Sequence, residues 1–169
     1  MVSLREFISE PSSVELHADV TELDLLKTRQ TLTDQAAIKD LFLNKRILIT
    51  GAGGSIGSEL SRQIASYHPS YLGLLDRDES ALHAVQLGIR NKAFLDENSL
   101  VLADIRDPER LLEVFKEVMP ELVIHAAALK HISFLQRLPS EAFKTNVLGT
   151  LNVLEAAQQV GVKVFINIS

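Results

Sequence analysis

The chain has 169 residues, 46% hydrophobic and 23% charged, which is the composition of about one globular domain and not of a disordered segment. Its net charge of −5 argues against a general nucleic-acid-binding surface. With no cysteine there are no disulfides, cysteine metal sites or thiol chemistry, in keeping with a reducing compartment.

Residues 1–44 read as a leader or linker. The start carries Arg5, Glu6 and Glu10 without an apolar core, so it is no secretory signal, and Pro11, Ser12 and Ser13 break any regular pattern. Asp34 is placed as N-cap of a short amphipathic helix, AAIKDLFL, that ends near Asn44. From Lys45 the pattern becomes strand, turn, helix. RILIT (46–50) is a buried strand, followed by a helix from Ser55 to Tyr67 with Ile56, Leu60 and Ile64 on its inner face. YLGLLD (71–76) is a second strand, and Glu79 to Arg90 a second helix of this region. SLVLAD (99–104) is a third strand. Asp107 and Pro108 open the next helix as N-cap and first helical residue. LVIHAA (122–127) is a fourth strand, Ser140 to Val160 one long helix closed by Gly161, and VKVFINIS (162–169) a fifth strand. Strands alternating with helices through short loops predict a doubly wound parallel α/β sheet of five strands in the order 3-2-1-4-5, with the domain spanning 45–169. The most apolar stretch, Leu122 to Leu129, is far shorter than the ~20 residues a membrane span needs. A soluble, cytoplasmic chain without a membrane segment is expected, although a longer parent protein can be membrane-associated.

Ligands of such sheets bind at the carboxyl ends of the strands. There, directly after the first strand, Gly51, Gly54 and Gly57 form a GxxGxxG loop that leads into a helix starting at Ser55 and Ile56. Gly51 serves the tight turn, Gly54 the approach of a pyrophosphate, and Gly57 the close packing of helix on strand. The helix start points unpaired N–H groups at the same anion. No Gly-Lys-Ser/Thr follows, so the loop is not a P-loop. Asp76 ends the second strand, nineteen residues after Gly57. Its carboxylate suits the ribose hydroxyls of NAD and repels the extra phosphate of NADP, whereas the adjacent Arg77 leaves NADP open. Asp104 is placed to bond the adenine amino group with Ile105 packed on the ring, or else to cap the turn before Asp107. His125 reads as a satisfied core residue, and no His/Asp/Glu spacing marks a metal site.

TGAGGSIGSEL (50–60), LLDRDESAL (74–82), LADIRD (102–107), HAAALKHI (125–132) and TNVLGTLNVLEAA (145–157) occur in that order. With them the chain resembles an extended short-chain dehydrogenase/reductase with a Rossmann-like fold. Within that group it is most similar to the CapD-like nucleotide-sugar dehydratases and epimerases of bacterial polysaccharide biosynthesis, UDP-N-acetylglucosamine 4,6-dehydratases among them. The resemblance covers about residues 45–169 and reaches toward Asp24, Leu25 and Leu26. It implies that Ala126, Ala127 and Lys130 lie beneath the cofactor, that Lys130 and Thr145 reach the nicotinamide ribose, and that Asn146 organises the active site. It further implies a UDP-sugar substrate and a homo-oligomer formed through the long helix.

The implied reaction oxidises the sugar at carbon four, removes water across carbons five and six and returns the hydride to carbon six; some members also invert carbon five. The family performs it with Tyr-x-x-x-Lys, or Met in place of Tyr, and with a Thr-Asp-Lys element after the fifth strand. Neither Tyr67 nor Tyr71, nor Met1 nor Met119, has a lysine four residues on, and Ser169 matches the serine before Thr-Asp-Lys. The expectation is therefore the cofactor-binding part of such an enzyme, inactive on its own. A non-enzymatic dinucleotide-binding module and another extended reductase or epimerase remain as alternatives.

Overall fold

The computed structural model describes residues 34–89 and 99–168. The leader up to residue 33, Arg90 and Ser169 lie outside the described residues. The strands are β1 (Arg46–Thr50), β2 (Tyr71–Asp76), β3 (Leu100–Leu102), β4 (Leu122–His125) and β5 (Val164–Asn167). They form one parallel sheet in the order β3-β2-β1-β4-β5. The helices are α1 (Gln35–Phe42), α2 (Ser55–Ala65), α3 (Glu79–Ile89), α4 (Pro108–Val118), the single turns α5 (Ile132–Leu135) and α6 (Pro139–Ala142), and α7 (Thr150–Val160). The fold is the Rossmann-like arrangement that the strand–helix alternation predicts.

Alternation along the strands sorts the core into two layers. Ile47, Ile49, Leu72, Leu74, Leu122 and Ile124 meet Ile64 and Ala65 of α2 and Leu82, Val85 and Ile89 of α3. Leu48, Leu75, Val101 and Val123 point the other way, onto Leu111, Val114 and Phe115 of α4 and Val153, Ala156 and Ala157 of α7. Both faces of β1 are covered, which is why Ile47, Leu48 and Ile49 follow one another without alternation. Each large apolar side chain fully buried here contributes about 1.5–3 kcal/mol. Leu41 and Phe42 of α1 pack against the first layer. Asp34 caps α1, accepting from the Ala37 N–H at 3.0 Å, and Asp107 caps α4, accepting from the Arg110 N–H at 3.0 Å with Pro108 behind it. Gly161, at φ 72°, closes α7.

Three local expectations are corrected. The long helix is not one α-helix from Ser140. It runs as α6, then a π-helical stretch Phe143–Gly149, then α7. The strands are shorter than the apolar runs that predict them: β3 ends at Leu102, β4 at His125 and β5 at Asn167. Ala126 still donates to Thr50 O, but beyond it the chain leaves the sheet to build the site. Ile56 is not on the inner face. It lies in the first turn of α2, past the sheet edge, and is 51% exposed, while Gly57, Ser61, Ile64 and Ala65 are the buried positions.

Candidate cofactor-binding site

A pocket opens at the carboxyl edge of the sheet, where β1, β2, β3 and β4 end. Gly51, Gly54, Leu75, Asp76, Arg77, Ala103, Asp104, Ile105, Ala126, Ala127, Ala128, Leu129 and Thr145 line it. Its cavity volume is about 130 Å³, below the ~300–1,000 Å³ usual for small-molecule sites, and it opens to solvent along the sheet edge. The structure thus brings together most of the residues singled out in the sequence. Ser55 and Ile56 stand exposed at the start of α2 beside this pocket's glycines. Lys130 lines a neighbouring recess with His131, Phe134, Leu138 and Glu141, and Arg77 and Leu129 border both.

The three glycines divide their labour. Gly51 has φ +72°, and a Cβ on it would lie 2.5 Å from the backbone of Ala127, so the β1 turn and the end of β4 touch through it. A Cβ on Gly57 would lie 2.0 Å from Gly51 O, which is the close helix–strand contact expected there. A Cβ on Gly54 meets only Gly51 O, at 3.3 Å. The remaining space beside Gly54 belongs to the pocket.

Asp76 is tied into the loop. Its Oδ2 accepts from the Gly53 N–H at 2.8 Å and its Oδ1 from the Asp78 N–H at 3.1 Å. A carboxylate has about four lone-pair positions, so acceptor capacity remains toward the pocket. Asp104 is committed differently. The Arg106 guanidinium forks onto it, with Nε 3.0 and 2.9 Å from Oδ1 and Oδ2 and Nη2 2.6 Å from Oδ2. That hydrogen-bonded cation holds the Asp104 carboxyl below the usual carboxylate range. Arg106 also bonds Glu141 at 3.1 Å, and Glu141 pairs with Lys144 at 2.8 Å, so the network ties the β3 turn to α6 and the π-helical stretch. Ile105 is buried and meets that stretch directly: a Cβ on Gly149 would lie 2.7 Å from its Cδ1.

Two side chains of the π-helical stretch bear on the pocket and the loop after β4. Thr145 is only 6% exposed, and its hydroxyl is buried with no hydrogen-bond partner. A buried hydroxyl left unsatisfied costs on the order of 1–3 kcal/mol, so this one, on the wall of the pocket, fits a ligand that supplies the missing partner. Asn146 clamps the loop after β4, with Oδ1 accepting from the Leu129 N–H and Nδ2 donating to Leu129 O, both at 2.8 Å. Such wide turns recur at functional sites. Sequence reasoning missed Gly53, Leu129 and Gly149. Gly149 carried a usable signal, because glycine inside a helix costs ~1 kcal/mol relative to alanine and marks a close approach.

Among the described residues no cluster could hold a metal ion, and no helix is long and apolar enough to cross a membrane. The sheet order, the glycine turn and the pocket at its edge define an α/β domain of the extended short-chain dehydrogenase/reductase type. The pattern of the polysaccharide biosynthesis protein family matches residues 47–169, and the chain belongs to that family. It is 36% identical to the probable polysaccharide biosynthesis protein EpsC of Bacillus subtilis over 89% of this chain and 25% of that protein. It is 36% identical to the capsular polysaccharide biosynthesis protein CapD of Staphylococcus aureus over 100% of this chain and 28% of that protein. A UDP-N-acetylglucosamine 4,6-dehydratase (inverting) of Campylobacter jejuni is 35% identical over 76% of this chain and 37% of its own length. Among solved structures, a UDP-glucose-4-epimerase from Stenotrophomonas maltophila with bound NAD matches with a TM-score of 0.63. Its identity is 27%, over 73% of this chain and 36% of that one. The chain therefore spans about a quarter of the length of EpsC and CapD.

Proposed function

We propose that this chain is the nicotinamide-dinucleotide-binding part of an enzyme that dehydrates or epimerises a UDP-sugar for bacterial polysaccharide or glycan synthesis. The observation that carries the reading is the pocket wall itself: Gly54, Ala126, Ala127 and Thr145, whose buried hydroxyl has no partner, line one pocket at the carboxyl edge of the sheet. A dinucleotide bound there would accept and return a hydride. This chain's residues do the binding and orienting. The N–H groups at the start of α2 receive the pyrophosphate, an interaction of about 0.3–1 kcal/mol per charge. Asp76 accepts from the ribose hydroxyls, which favours NAD over NADP, with Arg77 moderating the preference. Asp104 and Ile105 border the adenosine end, and small alanines let the ligand lie against the end of β4. Thr145 donates or accepts at the ligand, and Lys130, at the mouth of the neighbouring recess, reaches the nicotinamide ribose.

The match to CapD and to a 4,6-dehydratase supports the dehydratase or epimerase reading. A homo-oligomer formed through the long helix is supported by the exposed apolar stripe Phe143, Val147, Leu151 and Leu154. The 169 residues contain no Tyr/Met-x-x-x-Lys and no Thr-Asp-Lys, so on their own they bind the cofactor without turning over UDP-N-acetylglucosamine. Calorimetric titration with NAD⁺, beside an assay for the 4-keto product, tests both halves of this reading. Saturable NAD⁺ binding without product supports it. Absence of binding, or product formed by these residues alone, refutes it.

A further inference from the structure

His125 lies outside the glycine loop, yet a continuous hydrogen-bond chain through it reaches the pocket walls. Thr50, the last residue of β1, pairs in register with His125, the last of β4, so both side chains share one sheet face. His125 Nδ1 is 2.6 Å from Thr50 Oγ1, and Nε2 is 2.9 Å from Thr150 Oγ1. Thr150 Oγ1 donates its single proton to Asn146 O at 2.9 Å, so it accepts from Nε2–H. Nδ1 is then the acceptor and Thr50 the donor. The ring is neutral, satisfied at both nitrogens and 2% exposed. At the far end, Asn146 grips both backbone groups of Leu129.

The chain of bonds runs from the residue before Gly51, through β4, to the first residue of α7 and back to the loop after β4. Between Thr150 and Asn146 it braces the π-helical stretch. One residue of helical register is about 100° of rotation. A relaxation of the wide turn to ordinary α-helix would therefore swing Thr145 and Asn146 off their present directions.

We infer that His125 is a positioning residue of this site: through Thr150 it holds the π-helical stretch in the register in which Asn146 clamps Leu129 and Thr145 faces the pocket. The inference rests on the dinucleotide reading of the pocket for its effect on affinity, and on the hydrogen-bond geometry alone for its effect on the loop. His125 contacts no ligand position itself.

The test compares Thr150→Val, which removes the hydroxyl, with Thr150→Ser, which keeps it. Two quantities are read on the full chain well below its melting temperature: the hydrogen-exchange rate of the Leu129 amide without ligand, and the NAD⁺ dissociation constant. In Thr150→Val the Leu129 amide exchanges at least tenfold faster and NAD⁺ binds at least fivefold more weakly, whereas Thr150→Ser stays near wild type in both. His125→Phe, which keeps a ring of similar size but has neither nitrogen, shows the same two losses. It decides the matter if Thr150→Val fails to fold. Wild-type exchange and affinity in these variants, or equal behaviour of the Val and Ser variants, overturns the inference. A wild-type chain that does not bind NAD⁺ overturns the dinucleotide reading, and the Leu129 exchange rate still decides the link.

Discussion

Alanine at Gly54 and alanine at Gly57 are chemically the same change three residues apart, and the structure separates their effects. At Gly54 the backbone is extended (φ −70°, ψ 167°), a conformation alanine adopts freely. The new methyl meets only Gly51 O at 3.3 Å, so that neighbour gives by a few tenths of an ångström. Removal of glycine also lowers the entropy of the unfolded chain, which stabilises by about 0.4–1 kcal/mol. Gly54→Ala is therefore expected to melt within about 3 °C of wild type, using ~2–4 °C per kcal/mol for a domain of this size. What it loses is the approach of the pyrophosphate to the loop and to the start of α2. At about 0.3–1 kcal/mol per charge, rising to ~2 in partly buried geometry, the loss for two charges reaches on the order of 1–3 kcal/mol. That is roughly tenfold or more in affinity. At Gly57 the methyl would sit 2.0 Å from Gly51 O and 2.9 Å from Ala52 Cα, both backbone. Helix α2 must move, and about 1–3 kcal/mol of stability goes with it. Thermal melts and NAD⁺ calorimetry on both variants check the pair. If Gly54→Ala binds NAD⁺ as tightly as wild type, or unfolds as readily as Gly57→Ala, the division of labour among the glycines is wrong.

Other variants report on other walls of the site. Asp76→Ala removes a like charge facing the NADP phosphate and frees the Gly53 N–H. The NAD/NADP affinity ratio is expected to narrow about tenfold, for a repulsion on the order of 1–4 kcal/mol; competitive titrations with both dinucleotides measure it, and an unchanged ratio removes Asp76 from the ribose role. Thr145→Val deletes a hydroxyl that is unpaired in the free protein. The free protein should keep its stability or gain some, while NAD⁺ affinity falls about 2–10-fold for one lost hydrogen bond; a variant that is destabilised with unchanged affinity speaks against a ligand-facing hydroxyl. His125 gives a pH signature. Burial pushes it down from 6.5 to about 4, so the unfolded chain takes up this proton from about pH 6.5 downward and the folded one only near 4. The stability tied to the neutral ring is whole above pH 6.5 and is lost as pH falls toward 4, by about 2–3 kcal/mol at pH 4.5. Denaturant melts at pH 7 and 4.5 should show a shallower loss in His125→Gln than in wild type, and equal losses would refute this.

What the amino-acid order revealed and what it hid have physical causes. The five strands and their order were legible because β1, β2 and β4 are buried on both faces and read as apolar runs, each followed at once by a turn. The glycine loop was legible because each glycine answers a local steric demand. The π-helical stretch was not. Its wide turn depends on Asn146 reaching Leu129 and on Thr150 reaching back to Asn146, and tertiary bonds of this kind leave no period in the sequence. Ile56 was misplaced because helical spacing assigns it to the inner face, yet the sheet has already ended beneath the first turn of α2. The pairing of Asp104 with Arg106 was missed because it depends on a turn closed by Asp107 N–H onto Asp104 O at 3.0 Å.

The most direct test of the central claim is a titration of the isotope-labelled chain with NAD⁺, followed by amide chemical shifts residue by residue. The account predicts saturable shifts confined to 51–57, 76–77, 104–105, 126–130 and 145–146, along the carboxyl edge of the sheet. No saturable shift, or shifts centred elsewhere with the glycine loop untouched, would contradict it.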